Sequence, residues 1–198
     1  MSIDLIYPDG ATPLDPDEIL GLKPGLITRG ELNAFEQANI ASSLIWARRS
    51  RTLKKDLLQV DSLKLLHKHM FNDTWKWAGK FRTSGKNLGC EPHLIMEQIA
   101  GLCADTKYWI ENAVYSDEEC AIRFHHRLVS IHPFPNGNGR HSRLAADLLL
   151  HFRGKQFLAW GGDSIDVEGT VRTRYLQSLR EADKKKYDAL IDFVLGRE

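Results

Sequence analysis

Neither sign dominates the charge of this chain: its 198 residues carry 27 lysines and arginines against 26 aspartates and glutamates, a formal net charge of +1. So even a balance supplies no global field toward nucleic acid or anionic lipid, and no direct nucleic-acid binding is expected. Long apolar runs are missing too; none approaches the roughly 20 residues that a membrane-spanning helix needs. The opening stretch MSIDLIYPDGATPLDPDE has neither a basic region nor a hydrophobic signal core. These absences predict a cytoplasmic protein without a membrane partner. Cysteine is scarce: Cys90, Cys103 and Cys120 are odd in number and stand at no metal-like spacing, which predicts reduced, packed thiols. No internal repeat or low-complexity tract is present. What is there, 42% hydrophobic and 27% charged residues, is the composition of one globular domain. The basic runs at Arg48–Arg51 and Lys184–Lys186 read as solvated helix faces.

Periodicity makes the domain mostly helical. Proline, aspartate and glycine mark residues 1–27 as an N-terminal arm, with the domain proper over residues 28–198. Thr28 and Glu31 form a capping box, and Leu32, Phe35, Ile40, Leu44 and Ile45 predict an amphipathic helix to about Arg49. Leu63, Leu66 and Met70 predict a second, from Asp61 toward Asn72. The stretch AGKFRTSGKNLGCEPH interrupts this pattern with three glycines and Pro92, as a hairpin or flap does. Helix returns from about Leu94 to Asn112, and again after Ser116, whose capping partner is Glu119, through Cys120, Ile122, Phe124, Leu128 and Val129 to His132. Pro133 and Pro135 stop it, because proline removes a backbone donor and restricts the residue before it.

The chemistry concentrates in HPFPNGNGRHSR, residues 132–143. A helix ends at His132, and another restarts within the glycine loop, burying Leu144, Leu148 and Phe152. Glycines at a helix N-terminus let an anion approach unpaired backbone N–H groups where the helix dipole favours it. Arg140 and Arg143, three apart, share a helix face and can reach the same polyphosphate. His132, across the loop, is placed as a general base or acid. The order points to phosphoryl or nucleotidyl transfer. By contrast, His67 with His69, and His125 with His126, lack metal-ligand spacing and read as core or surface histidines. Trp75, Trp77 and Phe81 read as core and flap support rather than a base-stacking platform, and Trp160 as core with an adenine pocket as the other reading.

This motif resembles the signature of the Fic (Fido) superfamily, His-Pro-Phe-x-(Asp/Glu)-Gly-Asn-Gly-Arg-x-x-Arg, matching every fixed position except the acidic one, where Asn136 stands. MFNDTWKWAGKFRTSGKNLG resembles the family's segment leading into its target-docking flap. TPLDPDE followed by ITRGELNAFEQANI is similar to the subgroup called mobile mystery protein B. The resemblance implies a mostly α fold with a short β-hairpin flap beside the active-site loop, and transfer of AMP from ATP to a Ser, Thr or Tyr hydroxyl of a target protein. It implies His132 as the catalytic base, Phe134 as the loop's core anchor, Gly137, Asn138 and Gly139 as the anion hole, and Arg140 and Arg143 on the outer phosphates. The flap, about Gly79 to Glu91 with Thr83, Ser84, Gly85, Lys86 and Asn87 at its centre, would align the target by main-chain pairing. Asn136, at the metal position, keeps an oxygen ligand for magnesium but loses the charge.

Many family members are restrained by a glutamate in the motif (Ser/Thr)-x-x-x-Glu-(Gly/Asn), which pairs with the second motif arginine. SIDVEG, Ser164 to Gly169, matches literally and offers Glu168, although Ser164 and Asp166 can equally cap the next helix. Glu36 is the rival; Leu32 stands where its Ser or Thr would be. An antitoxin-like partner is a third source of restraint. Two functional classes follow: a protein adenylyltransferase, toxin-like and autoinhibited, or a degenerate domain that binds nucleotide or a partner without transfer, or that transfers another phosphate-containing group.

Overall fold

The computed structural model describes residues 13–23, 25, 29–162, 165 and 169–197. Among them the helices are α1 (Pro16–Ile19), α2 (Arg29–Arg49), α3 (Arg51–Asp56), α4 (Val60–Phe71), α5 (Ile95–Glu111), α6 (Asp117–Ile131), α7 (Asn138–Phe152), α8 (Thr170–Asp183) and α9 (Asp188–Leu195), with a single 3-10 turn at Pro92–Leu94. Four of the predicted helices begin or end within two residues of their expected bounds. Helix α3 is an addition, opened by Ser50, whose hydroxyl accepts from the Leu53 N–H. Ser116 accepts likewise from the Glu119 N–H at 3.1 Å, while the Glu119 carboxylate takes Arg123 at 2.7 Å instead of closing the box. Thr28 lies outside the described residues.

Helices α6 and α7 pack along each other, joined by the short loop 132–137, and form the centre. Because α7 is covered on nearly every side, it buries Ala145, Ala146, Leu148 and Leu150 completely. Helices α4 and α5 cover one flank, α9 reaches α6 from another, and α8 pairs with α9. The predicted core residues Leu63, Leu66, Met70, Ile122 and Phe124 are all fully buried.

Helix α2 departs from the predicted pattern. Phe35 and Ile45, assigned to its apolar face, are 42% and 61% exposed. The inward face is Leu32, Glu36, Asn39, Ser43 and Ala47, still a helical spacing but largely polar, because its partners are polar. Asn39 donates to the His69 carbonyl at 3.0 Å and accepts from the Asp73 N–H at 3.0 Å, capping the end of α4. Glu36 serves the site described below.

The expected β-hairpin is a flap without strands among the described residues, where the single β-bridge joins Leu22 to Trp75. The two sides of the flap spend their amides on the motif loop rather than on each other: Arg82 N–H donates to the Pro133 carbonyl at 2.9 Å and Cys90 N–H to the Ile131 carbonyl at 3.2 Å. Those two amides are therefore not available to a ladder between the sides of the flap.

Candidate active site

Helix α6 ends because His132 turns left-handed, with φ 55° and ψ 58°. For a residue with a Cβ this conformation is strained by roughly 1 kcal/mol or more, and such outliers gather where the surroundings fix a functional side chain. The ring is only 7% exposed. Burial, aided by the positive charges of Arg82 and Lys86, brings its pKa down to about 4 against a bond to the Val129 carbonyl that opposes the shift. His132 is therefore neutral at physiological pH. Nδ1 lies 3.3 Å from that carbonyl, which can only accept, so Nδ1 carries the proton and Nε2 keeps the lone pair.

The loop itself is braced from within. Phe134 is fully buried, stacked 3.7 Å from His67 and edge-on to His141. Asn138 donates to the Phe134 carbonyl at 2.8 Å and accepts from its N–H at 2.9 Å, a doubly hydrogen-bonded clip that uses the whole side-chain amide. Gly137 has φ 77°, and a Cβ there would stand 2.4 Å from the Phe71 ring, so only glycine fits. Gly139 differs: a Cβ would meet nothing closer than Arg143 Nη1 at 3.6 Å. Packing within the protein does not demand a glycine there, and its absent side chain leaves the first turn of α7 open on that side. The same distance shows the Arg143 guanidinium lying over the first turn of α7. That side chain is 8% exposed and has Tyr175 beneath it.

Arg140 points to α2. Its Nη1 donates to Glu36 Oε2 at 2.8 Å, and Glu36 Oε1 accepts from Trp75 Nε1 at 2.6 Å. Glu36 is 4% exposed, so its charge is held by a cation and an indole donor in place of water. Glu168, the literal motif match, lies outside the described residues, as do Ser164 and Asp166.

The flap is fastened by a residue that sequence reasoning missed. Arg82, 3% exposed, donates from Nε to the His132 carbonyl at 2.7 Å, from Nη1 to the Ser84 carbonyl at 2.9 Å and from Nη2 to the Cys90 carbonyl. Close approach is required opposite it: at Gly89, with φ 99°, a Cβ would sit 2.6 Å from the His132 Cβ. His67, read from the sequence as a core or surface histidine, is fully buried, and its contacts to the loop were not foreseen. Its Nδ1 accepts from the Gly79 N–H and its Nε2 donates to the Asn136 carbonyl, each at 3.0 Å. Nothing in the stretches GKFRTSGK and LKLLHKHM sets either residue apart from its neighbours.

Residues 57–150 match the family model described as Fic/DOC family. This chain carries a Fic domain. A probable protein adenylyltransferase, y4lH, from Sinorhizobium fredii is 27% identical over 144 residues, covering 69% of this chain and 72% of that one. Protein adenylyltransferase fic-1 of Caenorhabditis briggsae is 33% identical over 102 residues, 47% of this chain; the match spans only 19% of that longer protein. Among solved structures, BepC of Bartonella tribocorum, determined with bound AMPPNP, superimposes with a TM-score of 0.66 at 17% identity, over 95% of this chain and 93% of that one. This last likeness is one of fold.

Within the Fic motif, Asn136 stands where the family resemblance led us to expect a metal ligand. Its Oδ1 accepts from the adjacent Gly137 N–H, and among the described residues no group of three His, Cys, Asp or Glu side chains could hold a metal. The protein's own offer to a divalent cation is thus one neutral amide oxygen, adequate only where phosphates and waters supply the rest of the shell. The histidine pairs are packing residues: His125 and His126 are buried, with His125 Nε2 2.9 Å from the Tyr175 hydroxyl and His126 Nε2 2.9 Å from Asp183, and His69 stacks 3.5 Å from Trp46. Trp75 and Trp77 stack under the flap. Trp160 is buried, and its Nε1 donates to both Asp147 oxygens at 3.0 Å, which is a core role.

Proposed function

We propose that this Fic domain is a protein adenylyltransferase, transferring AMP from ATP to a Ser, Thr or Tyr hydroxyl of a target protein. The observation that carries the reading is a neutral, buried histidine with its lone pair on Nε2, held at the end of α6, across a short braced loop from the amides and arginines that open α7. The relatives named as adenylyltransferases, and the AMPPNP bound in one structural neighbour, support the nucleotide. In this reading the triphosphate lies on the α7 N-terminus, with the Gly139 surface admitting it closely and Arg140 and Arg143 taking the outer phosphates. The target hydroxyl gives its proton to His132 Nε2 as its oxygen bonds to the α-phosphorus; the bond from that phosphorus to the bridging oxygen breaks, and pyrophosphate leaves. Magnesium would supply charge neutralisation on the phosphates, and Asn136 Oδ1, once turned away from Gly137, is the ligand this chain offers.

The flap supports target alignment. Among the described residues no backbone–backbone hydrogen bond engages residues 83–89, so apart from the Ser84 carbonyl, which Arg82 holds, their amides and carbonyls form an edge open to an added strand.

Labelled ATP and magnesium, given to the protein with lysate as acceptor, should label protein, and His132→Ala should abolish the label. Nucleotide binding by both forms without label would overturn transfer and support the degenerate, nucleotide-binding class instead. In the same assay Asn136→Asp should raise the rate or tighten the magnesium requirement.

A further inference from the structure

The flap is occupied by the chain's own N-terminal arm. Lys86, at its centre, has a side chain only 3% exposed. Its ammonium lies 2.6 Å from Glu18 Oε2, 2.9 Å from Asp15 Oδ2 and 3.3 Å from the Pro13 carbonyl. Ser84, two residues earlier, donates its hydroxyl to the same Asp15 carboxylate. That hydrogen bond, with the neighbouring Lys86 contributing, pulls the Asp15 carboxyl below the usual range. The arm's described part is seated from Glu18 to Lys23, with Trp77 Nε1 donating to the Glu18 carbonyl at 2.9 Å, Lys76 N–H to the Gly21 carbonyl at 2.8 Å and Lys23 N–H to the Thr74 carbonyl at 2.9 Å. It reaches the flap through these carboxylates and the Pro13 carbonyl, and among the described residues it makes no backbone–backbone hydrogen bond to residues 83–89.

We propose that Lys86 and Ser84 form a carboxylate-reading site for an acidic segment of the target, and that Leu14–Glu18 is the built-in competitor for it. The inference rests on the reading of the flap as the target's docking edge. A target strand added there covers Lys86 again once the arm has left, and a covered ammonium is tolerated only with a carboxylate beside it. An acidic target meets that need as Asp15 and Glu18 now do; a neutral or basic one leaves the charge unpaired.

The test uses the full chain and a fluorescent peptide of residues 13–22, PLDPDEILGL, read by anisotropy. The double variant Asp15→Asn/Glu18→Gln, whose own arm no longer pairs with Lys86, should bind this peptide on the order of tenfold tighter than the parent chain does. Adding Lys86→Met, or separately Ser84→Ala, should remove most of that gain, and a peptide carrying Asn in place of Asp15 and Gln in place of Glu18 should bind weakly to every form. Equal binding of the acidic and neutral peptides, or binding indifferent to both Lys86 and Ser84, overturns the proposal, as does no binding at all. Thermal melts of each variant identify any that is unfolded, and the two single substitutions on the flap are independent of each other. Because binding needs no chemistry, it decides this proposal even where no transfer occurs. Conversely, label transferred equally to hydroxyl peptides with acidic and with basic flanks removes the acidic preference while leaving the adenylyltransferase reading intact.

Discussion

Arg82 satisfies three carbonyls with one guanidinium, those of His132, Ser84 and Cys90, and so fixes both sides of the flap against the backbone of the base. Arginine's planar fork suits this task and lysine's point charge does not. Arg82→Ala leaves those carbonyls without their donor at a cost of about 1 kcal/mol each, so its melting temperature should fall. Stability alone does not isolate a positioning role; the pH profile does. The positive charge of Arg82 helps to hold the His132 pKa at about 4, so the neutral base persists down to that pH and the acid limb of kcat/KM lies below about pH 5. Removing the charge in Arg82→Ala should move that limb upward, whereas Arg82→Lys should leave it in place while lowering kcat through looser geometry, with KM for ATP little changed. An acid limb that stays put in both variants would show that Arg82 acts on folding only.

At the scale of elements, α2 is fixed to the centre by polar keys, and Glu36 is the one that touches the motif. Its carboxylate holds Arg140, a side chain that the proposed reaction needs on a phosphate. In the proposed reaction phosphate and Glu36 would compete for one guanidinium, that of Arg140, the first motif arginine and not the second that the family resemblance led us to expect, and on that reading Glu36 is the candidate restraint. Glu36→Gly frees Arg140 and should raise self-labelling with ATP on the order of tenfold, at some loss of stability from the unpaired Trp75 Nε1 and the glycine in mid-helix. Self-labelling unchanged in Glu36→Gly would point to a partner protein as the source of restraint. The loop from His132 to Arg143 was legible in the sequence because its parts are local: prolines stop one helix, glycines open the next, and side chains three apart share a face. Glu36 meets Arg140 across 104 positions and Arg82 meets His132 across 50. No periodicity records such pairs, and the polar inward face of α2 made the apolar spacing of Phe35 and Ile45 misleading. The missing hairpin has the same origin, since strand propensity in the flap yields to hydrogen bonds with a loop distant in the chain.

Taken as a whole, the molecule stores neutral histidines in its interior, and this sets how it answers to acid. Burial lowers His67 and His125 well below their usual range, His132 and His141 to about 4, and His126 less far. Each of these holds a proton less readily in the folded protein than in the unfolded chain, where it takes one up near pH 6.5. Between pH 6.5 and 4 the unfolded state therefore binds more protons, and stability falls as pH falls; His132 and His141 alone account for about 3 kcal/mol each by pH 4. Asp147 works in the opposite direction. Burial raises its carboxyl to about 6 despite bonds from Leu158 and Trp160, so between pH 6 and 4 the folded state takes up a proton that the unfolded chain does not, offsetting about one histidine. Several histidines against one aspartate leave a net loss of a size comparable to the 5–15 kcal/mol that holds a typical domain together. Melting followed by calorimetry should show a plateau above about pH 7 and a steep decline between pH 6.5 and 5. His141→Gln, which removes one titrating group, should flatten the decline, and Asp147→Asn, which removes the opposing one, should steepen it. A melting temperature that stays level from pH 7 to 5 would show instead that the buried rings take up protons in the folded state over the same range as in the unfolded chain.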